Sequence, residues 1–141
     1  MCIRDRVQSL QYLKKHFKLV ILSNVDNVGF SQSNRHLKVE FDAIYTAEDI
    51  GSYKPSPRNF DYMLEKLQDL GVSKSDILHT AQSLFHDIVP ATRVSLATCW
   101  IDRRAGEPGI GATPVVENPP TPDMRFVSLA DMVDAHRLEL Q

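Results

Sequence analysis

Cysteine is scarce in this chain: Cys2 and Cys99 are the only two among 141 residues, and they form no CxxC pair. That spacing argues against a metal cluster and suits a reducing compartment. Cys99 is expected to be a small buried strand residue, the usual place of a free thiol. Charge of one sign is not in excess either. Sixteen Lys and Arg against eighteen Asp and Glu leave a formal charge of -2, which supplies no basic field to gather nucleic acid. The longest apolar run, Leu19-Leu22, is far too short to cross a bilayer, and no signal peptide has the form of this N-terminus. Nucleic-acid and membrane partners are therefore not expected, and a cytoplasmic location is.

The composition, 43% hydrophobic and 24% charged, suits one soluble globular unit with a buried core and no general disorder. No internal repeat is found. Residues 1-6 (MCIRDR) are set apart as a non-native leader, because they resemble translated sequencing-adapter bases at the front of an incomplete reading frame. The alternative is an ordinary charged helix start. On the leader reading the domain occupies residues 7-141.

From Val7 onward helices and strands alternate. Val7, Leu10 and Leu13 repeat at helical spacing up to His16, and Lys18-Leu22 (KLVIL) is a continuous apolar run of the kind a strand buried on both faces requires. A helix over Asn27-Leu37 and a strand over Phe41-Thr46 follow. Pro57-Leu70 reads as a helix with Pro57 in its first turn, Phe60, Met63, Leu64 and Leu67 on one face, and Gly71 as its stop. Ile77-Ala81 gives a third strand, Leu84-Val94 a helix and Thr98-Ile101 a fourth strand. This βαβαβαβ order predicts an α/β fold, a three-layer Rossmann-like parallel sheet.

Ala105-Asp123 holds three Gly and five Pro and reads as an irregular loop. Gly106, Gly109 and Gly111 do not follow a strand and open a helix, so they are not a phosphate cradle. Beyond it, Arg125-Val127 is expected as an edge strand and Leu129-Leu140 as a terminal helix capped by Ser128.

Chemistry-bearing residues gather where the apolar runs stop. Ser23 and Asn24 follow the first strand, Lys54 precedes Pro55 in a loop, and Gln82, Ser83, His86 and Asp87 follow the third strand. Loops at the carboxyl ends of parallel strands converge on one crevice, which can bring such groups together. Plainer alternatives are a strand-end turn for Ser23, a solvated lysine for Lys54 and a helix-start acid for Asp87. His79 reads as a strand residue with a satisfied ring. His86, beside Asp87, is a candidate contact to substrate or water, since histidine is the usual near-neutral proton carrier. No metal-ligand spacing links the histidines.

Three segments, VILSNVD (Val20-Asp26), YTAEDIGSYKPSPRNF (Tyr45-Phe60) and ILHTAQSLFHDIVPA (Ile77-Ala91), are together similar to the second, third and fourth motifs of the haloacid dehalogenase superfamily. The resemblance covers roughly Val7-Arg104 and is nearest to the type II haloacid dehalogenase and HAD-like hydrolase branch. It implies a hydrolase in which an aspartate at the end of the first strand attacks phosphorus or a halogen-bearing carbon, forming an ester that water cleaves. That aspartate is absent from this sequence, so the resemblance implies an N-terminally truncated core missing its first strand and any cap domain, and inactive as it stands. Ser23 would hydrogen-bond a substrate oxygen and Asn24 would support the same loop. Lys54 would neutralise charge on nucleophile and substrate, and Asp87 would pair with Lys54 or position water or metal. Ser83 and His86 would lie toward the substrate, a small haloacid or phosphate ester.

Departures from the family pattern qualify this picture. Magnesium-dependent members usually carry GDS or GDxxxD in the fourth motif, but Ala81-Gln82 stands here. A neutral amide is a poor ligand for a hard cation, so no cofactor is expected and magnesium dependence is doubtful. Type II dehalogenases commonly have a tyrosine where Phe60 stands and an asparagine where Leu84 stands. Three readings remain open at this point: a dehalogenase-type hydrolase, a phosphatase of the same superfamily, and a binding module without catalysis.

Overall fold

The structure is a computed structural model that describes residues 3-103 and 115-141. Among the described residues, five short strands and six α-helices fall into two compact units, one built from residues up to Gly51 together with Ser128-Gln141, the other from Ser52-Val127. The α/β, Rossmann-like character expected from the alternation holds in both.

In the first unit α1 (Ile3-His16) leads into β1 (Val20-Ser23), α2 (Asn27-Leu37), β2 (Ala43-Thr46) and the short α3 (Ala47-Ile50). Strands β1 and β2 pair in parallel from Val20 opposite Ala43 to Ser23 opposite Thr46. The apolar stretch that predicted the first strand therefore starts two residues late and runs on to Ser23. Helix α2 has the bounds the sequence predicted, and Asp26 caps it by accepting the Gly29 N-H at 2.6 Å. Such a cap satisfies one of the unpaired donors at a helix start. The terminal helix α6 (Leu129-Glu139) is capped by Ser128 as expected. It packs against α1, where Leu13 and Val133 are buried and Tyr12 Oη lies 2.8 Å from His136 Nδ1.

The second unit holds α4 (Pro57-Asp69), β3 (Leu78-Ala81), α5 (Val89-Arg93), β4 (Ala97-Ile101) and β5 (Met124-Phe126). Its three strands form a parallel sheet in the order β3-β4-β5, with β5 at an edge as expected. Cys99 is fully buried in the central strand, also as expected. Helix α4 begins at Pro57, which needs no N-H there, and turns Phe60, Met63 and Leu67 into the core. Gly71, at φ 82°, takes the left-handed turn that ends it.

One element differs from expectation. The helix predicted over Leu84-Val94 is instead a π-helical turn, Leu84-Ile88, followed by the single α turn of α5. Pro90 explains the break: it has no N-H to give the carbonyl four residues earlier, and its ring crowds that carbonyl. The backbone responds by widening. The Val89 N-H reaches Leu84 O, and the Asp87 and Ile88 N-H groups both reach Ser83 O at 3.2 Å. The Gly- and Pro-rich loop falls partly on residues 104-114, which include Gly106, Gly109 and Gly111 and lie outside the described residues, as does Cys2; its later part, 115-123, is irregular.

Candidate functional site

The second unit brings Lys54, His79 and Asp87 together. Lys54 stands in the loop before α4, His79 on β3, and Asp87 on the π turn that follows β3. Lys54 Nζ donates to Asp87 Oδ1 at 2.7 Å, and His79 Nε2 lies 3.0 Å from the same oxygen. All three are buried, with relative exposures of 9%, 9% and 6%. An ionised carboxylate only accepts, so Nε2 is the protonated ring nitrogen. Lys54 is therefore no solvated surface lysine.

Electrostatics explain why the carboxylate tolerates this place. Burial by itself would push the Asp87 carboxyl up; the hydrogen bond from His79 and the positive charge of Lys54 outweigh it and hold the group below its ordinary value. The His79 ring packs in a T-shaped arrangement with that of the fully buried Phe60, with centroids 5.2 Å apart and planes at 65°. Asn59, also fully buried, donates Nδ2-H to Ser52 O at 2.8 Å and so ties α4 to the loop two residues before Lys54. The Lys54-Pro55 peptide is cis.

Ser83 and His86 sit on the same turn as Asp87. The Ser83 hydroxyl caps the turn by accepting the His86 N-H, and lies 3.0 Å from His86 Nδ1. Both side chains are half-buried. Gln82 is exposed, and its carbonyl accepts the Trp100 Nε1-H at 2.9 Å. This donor set suits a divalent cation poorly, because position 82 offers an amide and Asp87 Oδ1 is already shared by two donors. Among the described residues no three His, Cys, Asp or Glu side chains converge.

Ser23 and Asn24 belong to the first unit. Ser23 ends β1, and its hydroxyl accepts the Val25 N-H at 3.3 Å, the strand-end turn weighed above. Just beyond it, Asn27 knots the unit: its Oδ1 accepts from Thr46 Oγ1 at 2.7 Å and its Nδ2 donates to Asp49 at 3.0 Å.

Two residues of this site went unrecognised in the sequence. His79 was expected to have a satisfied ring, but nothing named Asp87 as its partner. The available signal was period two, which places His79 on the same strand face as Ala81, at the start of the Asp87 loop. Asn59 gave no signal at all beyond being a polar residue in the α4 pattern.

Comparison with known proteins adds the fold family. No protein-family model matches the chain. The L-2-haloacid dehalogenase from Xanthobacter autotrophicus superposes with a TM-score of 0.73 at 20% identity, over 94% of this chain and 60% of that one. A HAD phosphatase from Thermococcus onnurineus gives 0.71 at 24%, over 94% and 56%. This is the haloacid dehalogenase fold. The fold implied by the resemblance that the three motifs carry is thus observed. In sequence, pyrimidine 5'-nucleotidase YjjG of Escherichia coli K12 is 28% identical over 114 residues, covering 77% of this chain and 48% of that protein. The chain spans about half the length of these relatives.

Proposed function

We propose that this chain carries the anion-handling part of a hydrolase of haloacid dehalogenase type, with Lys54 as the group that meets the negative charge of a small substrate. The observation that carries the reading is the buried Lys54-Asp87 pair. A compact ammonium held at fixed position in a dry site neutralises developing charge without having to reorganise, which is how such a group accelerates displacement. Asp87 keeps the ammonium in place. Ser23, from its position in the second motif, would donate to an oxygen of the substrate carboxylate or phosphoryl group, with Asn24 supporting that loop; Ser83 and His86 would line the substrate side of the Asp87 turn.

The reaction would proceed through an aspartate nucleophile that this sequence does not contain. The chain by itself should therefore release neither halide from 2-chloropropionate nor phosphate from a nucleoside monophosphate above a Lys54→Ala control, because losing one member of a unit that acts together costs about 10⁴- to 10⁶-fold in rate. Metal independence goes with the reading, on the ground of the amide at Gln82.

A phosphate-ester substrate is the second reading, favoured by the similarity to a nucleotidase. Calorimetric titration of the purified chain with 2-chloropropionate and with a pyrimidine nucleoside monophosphate separates the two. Tighter, Lys54-dependent binding of the carboxylate supports the dehalogenase type, and tighter binding of the phosphate ester supports the phosphatase type. Binding of neither, or binding untouched by Lys54→Ala, contradicts both.

A further inference from the structure

We propose that His79 is a positioning residue for the Lys54-Asp87 pair: its ring N-H fixes the Asp87 oxygen that Lys54 uses, and so sets where the ammonium stands. The inference rests on the reading of Lys54 as the anion-contact group and adds to it a residue that touches no substrate.

Three observations carry it. Lys54 and His79 both meet Oδ1, at 2.7 and 3.0 Å, so the two donors compete for, and jointly define, one acceptor position. Asp87 stands on a π turn, whose irregular backbone does not dictate where its carboxylate points as a regular helix would. His79 by contrast belongs to a strand registered on β4, with His79 opposite Thr98, and its ring is packed T-shaped with that of the fully buried Phe60. The rigid member of the trio is thus His79. A rotation of the Asp87 carboxylate away from it would carry the Lys54 ammonium along, since the 2.7 Å contact is the shortest in the group. Lys54 and His79 are the charged or titratable groups that act on this carboxyl.

Two substitutions separate positioning from mere filling of space. His79→Phe keeps an aromatic ring against Phe60 and removes the donor; His79→Gln places an amide N-H near the position of Nε2. The readouts are the Asp87 titration followed at its side-chain carboxyl carbon by NMR and the affinity for inorganic phosphate by calorimetry. Expected results are a raised Asp87 titration midpoint and about tenfold weaker phosphate binding in His79→Phe, with both largely restored in His79→Gln. An unchanged midpoint in a folded His79→Phe protein, or no recovery in a folded His79→Gln protein, overturns the proposal. A third readout needs no substitution: ring nitrogen shifts of the unmodified protein should show a hydrogen on His79 Nε2, and an Nε2 without one would overturn the proposal even if neither variant folds. If the unmodified protein binds no phosphate, the functional reading falls while the ring nitrogen shifts and the Asp87 titration still decide the role of His79.

Discussion

Lys54 Nζ stands 2.7 Å from Asp87 Oδ1 with both side chains more than nine-tenths buried. A pair so placed repays its desolvation only while it stays intact, and removing one partner leaves an uncompensated charge in the interior. Lys54→Ala or Asp87→Ala should each destabilise the second unit by about 3 to 5 kcal/mol. The Lys54→Ala, Asp87→Ala double variant should lose less than the sum of the two, because no unpaired charge of the pair remains. Urea unfolding of the four proteins checks this, and additive losses would show the two groups to be independent.

Acid should find the same pair. The Asp87 carboxyl is held below its ordinary value in the folded chain, so the folded state binds fewer protons there than the unfolded state. Its contribution to stability is fully present above the unfolded carboxylate value of about 3.9 and is lost as pH falls through the lower, folded value. Thermal unfolding from pH 7 downward should show a steeper loss below about pH 4 than the Asp87→Asn variant shows. Asp42 is also held low, by Lys14 and by the Leu19 N-H, but at the surface. High salt should weaken the Asp42 part of the acid response and spare the Asp87 part.

Much of this was legible in the sequence, and what was not has physical causes. Helix α2 and the start of α4 were readable because their local signals, the Asp26 cap and Pro57, agree with the tertiary structure. Strand bounds slipped by one or two residues, as at β1 and β3, since apolar composition marks a buried run without marking where pairing begins. The helix after β3 was misread because apolar spacing continues smoothly through Leu84-Val94 while Pro90 withdraws the hydrogen bond that would have kept the turn regular. Within the site, Lys54 and Asp87 were singled out by their motifs. His79 and Asn59 were not, because their contributions depend on contacts made across the fold, with Asp87 and with Ser52 O.

Cys99 offers a test of how dry the second core is. Burial pushes its thiol up to about 11, with a hydrogen bond from Thr80 drawing it part of the way back. A neutral thiol is a poor nucleophile, so peptide mapping after iodoacetamide treatment at pH 8 should find Cys99 unlabelled in the native protein and labelled in denaturant. The sign for stability follows: with the folded value raised above the ordinary value of 9.0, the contribution is full below the unfolded value and is lost as pH rises through about 11. Rapid native labelling would mean that β4 opens readily.

The most direct test of the account watches the Lys54 ammonium itself, through its side-chain nitrogen resonance as inorganic phosphate and 2-chloropropionate are titrated in turn. A saturable shift at Lys54 with at least one of the two anions, accompanied by shifts at Ser83 and His86 that Lys54→Ala abolishes, is the predicted result. A folded protein whose Lys54 resonance responds to neither anion would contradict the reading of this buried lysine as the group that meets the substrate's charge.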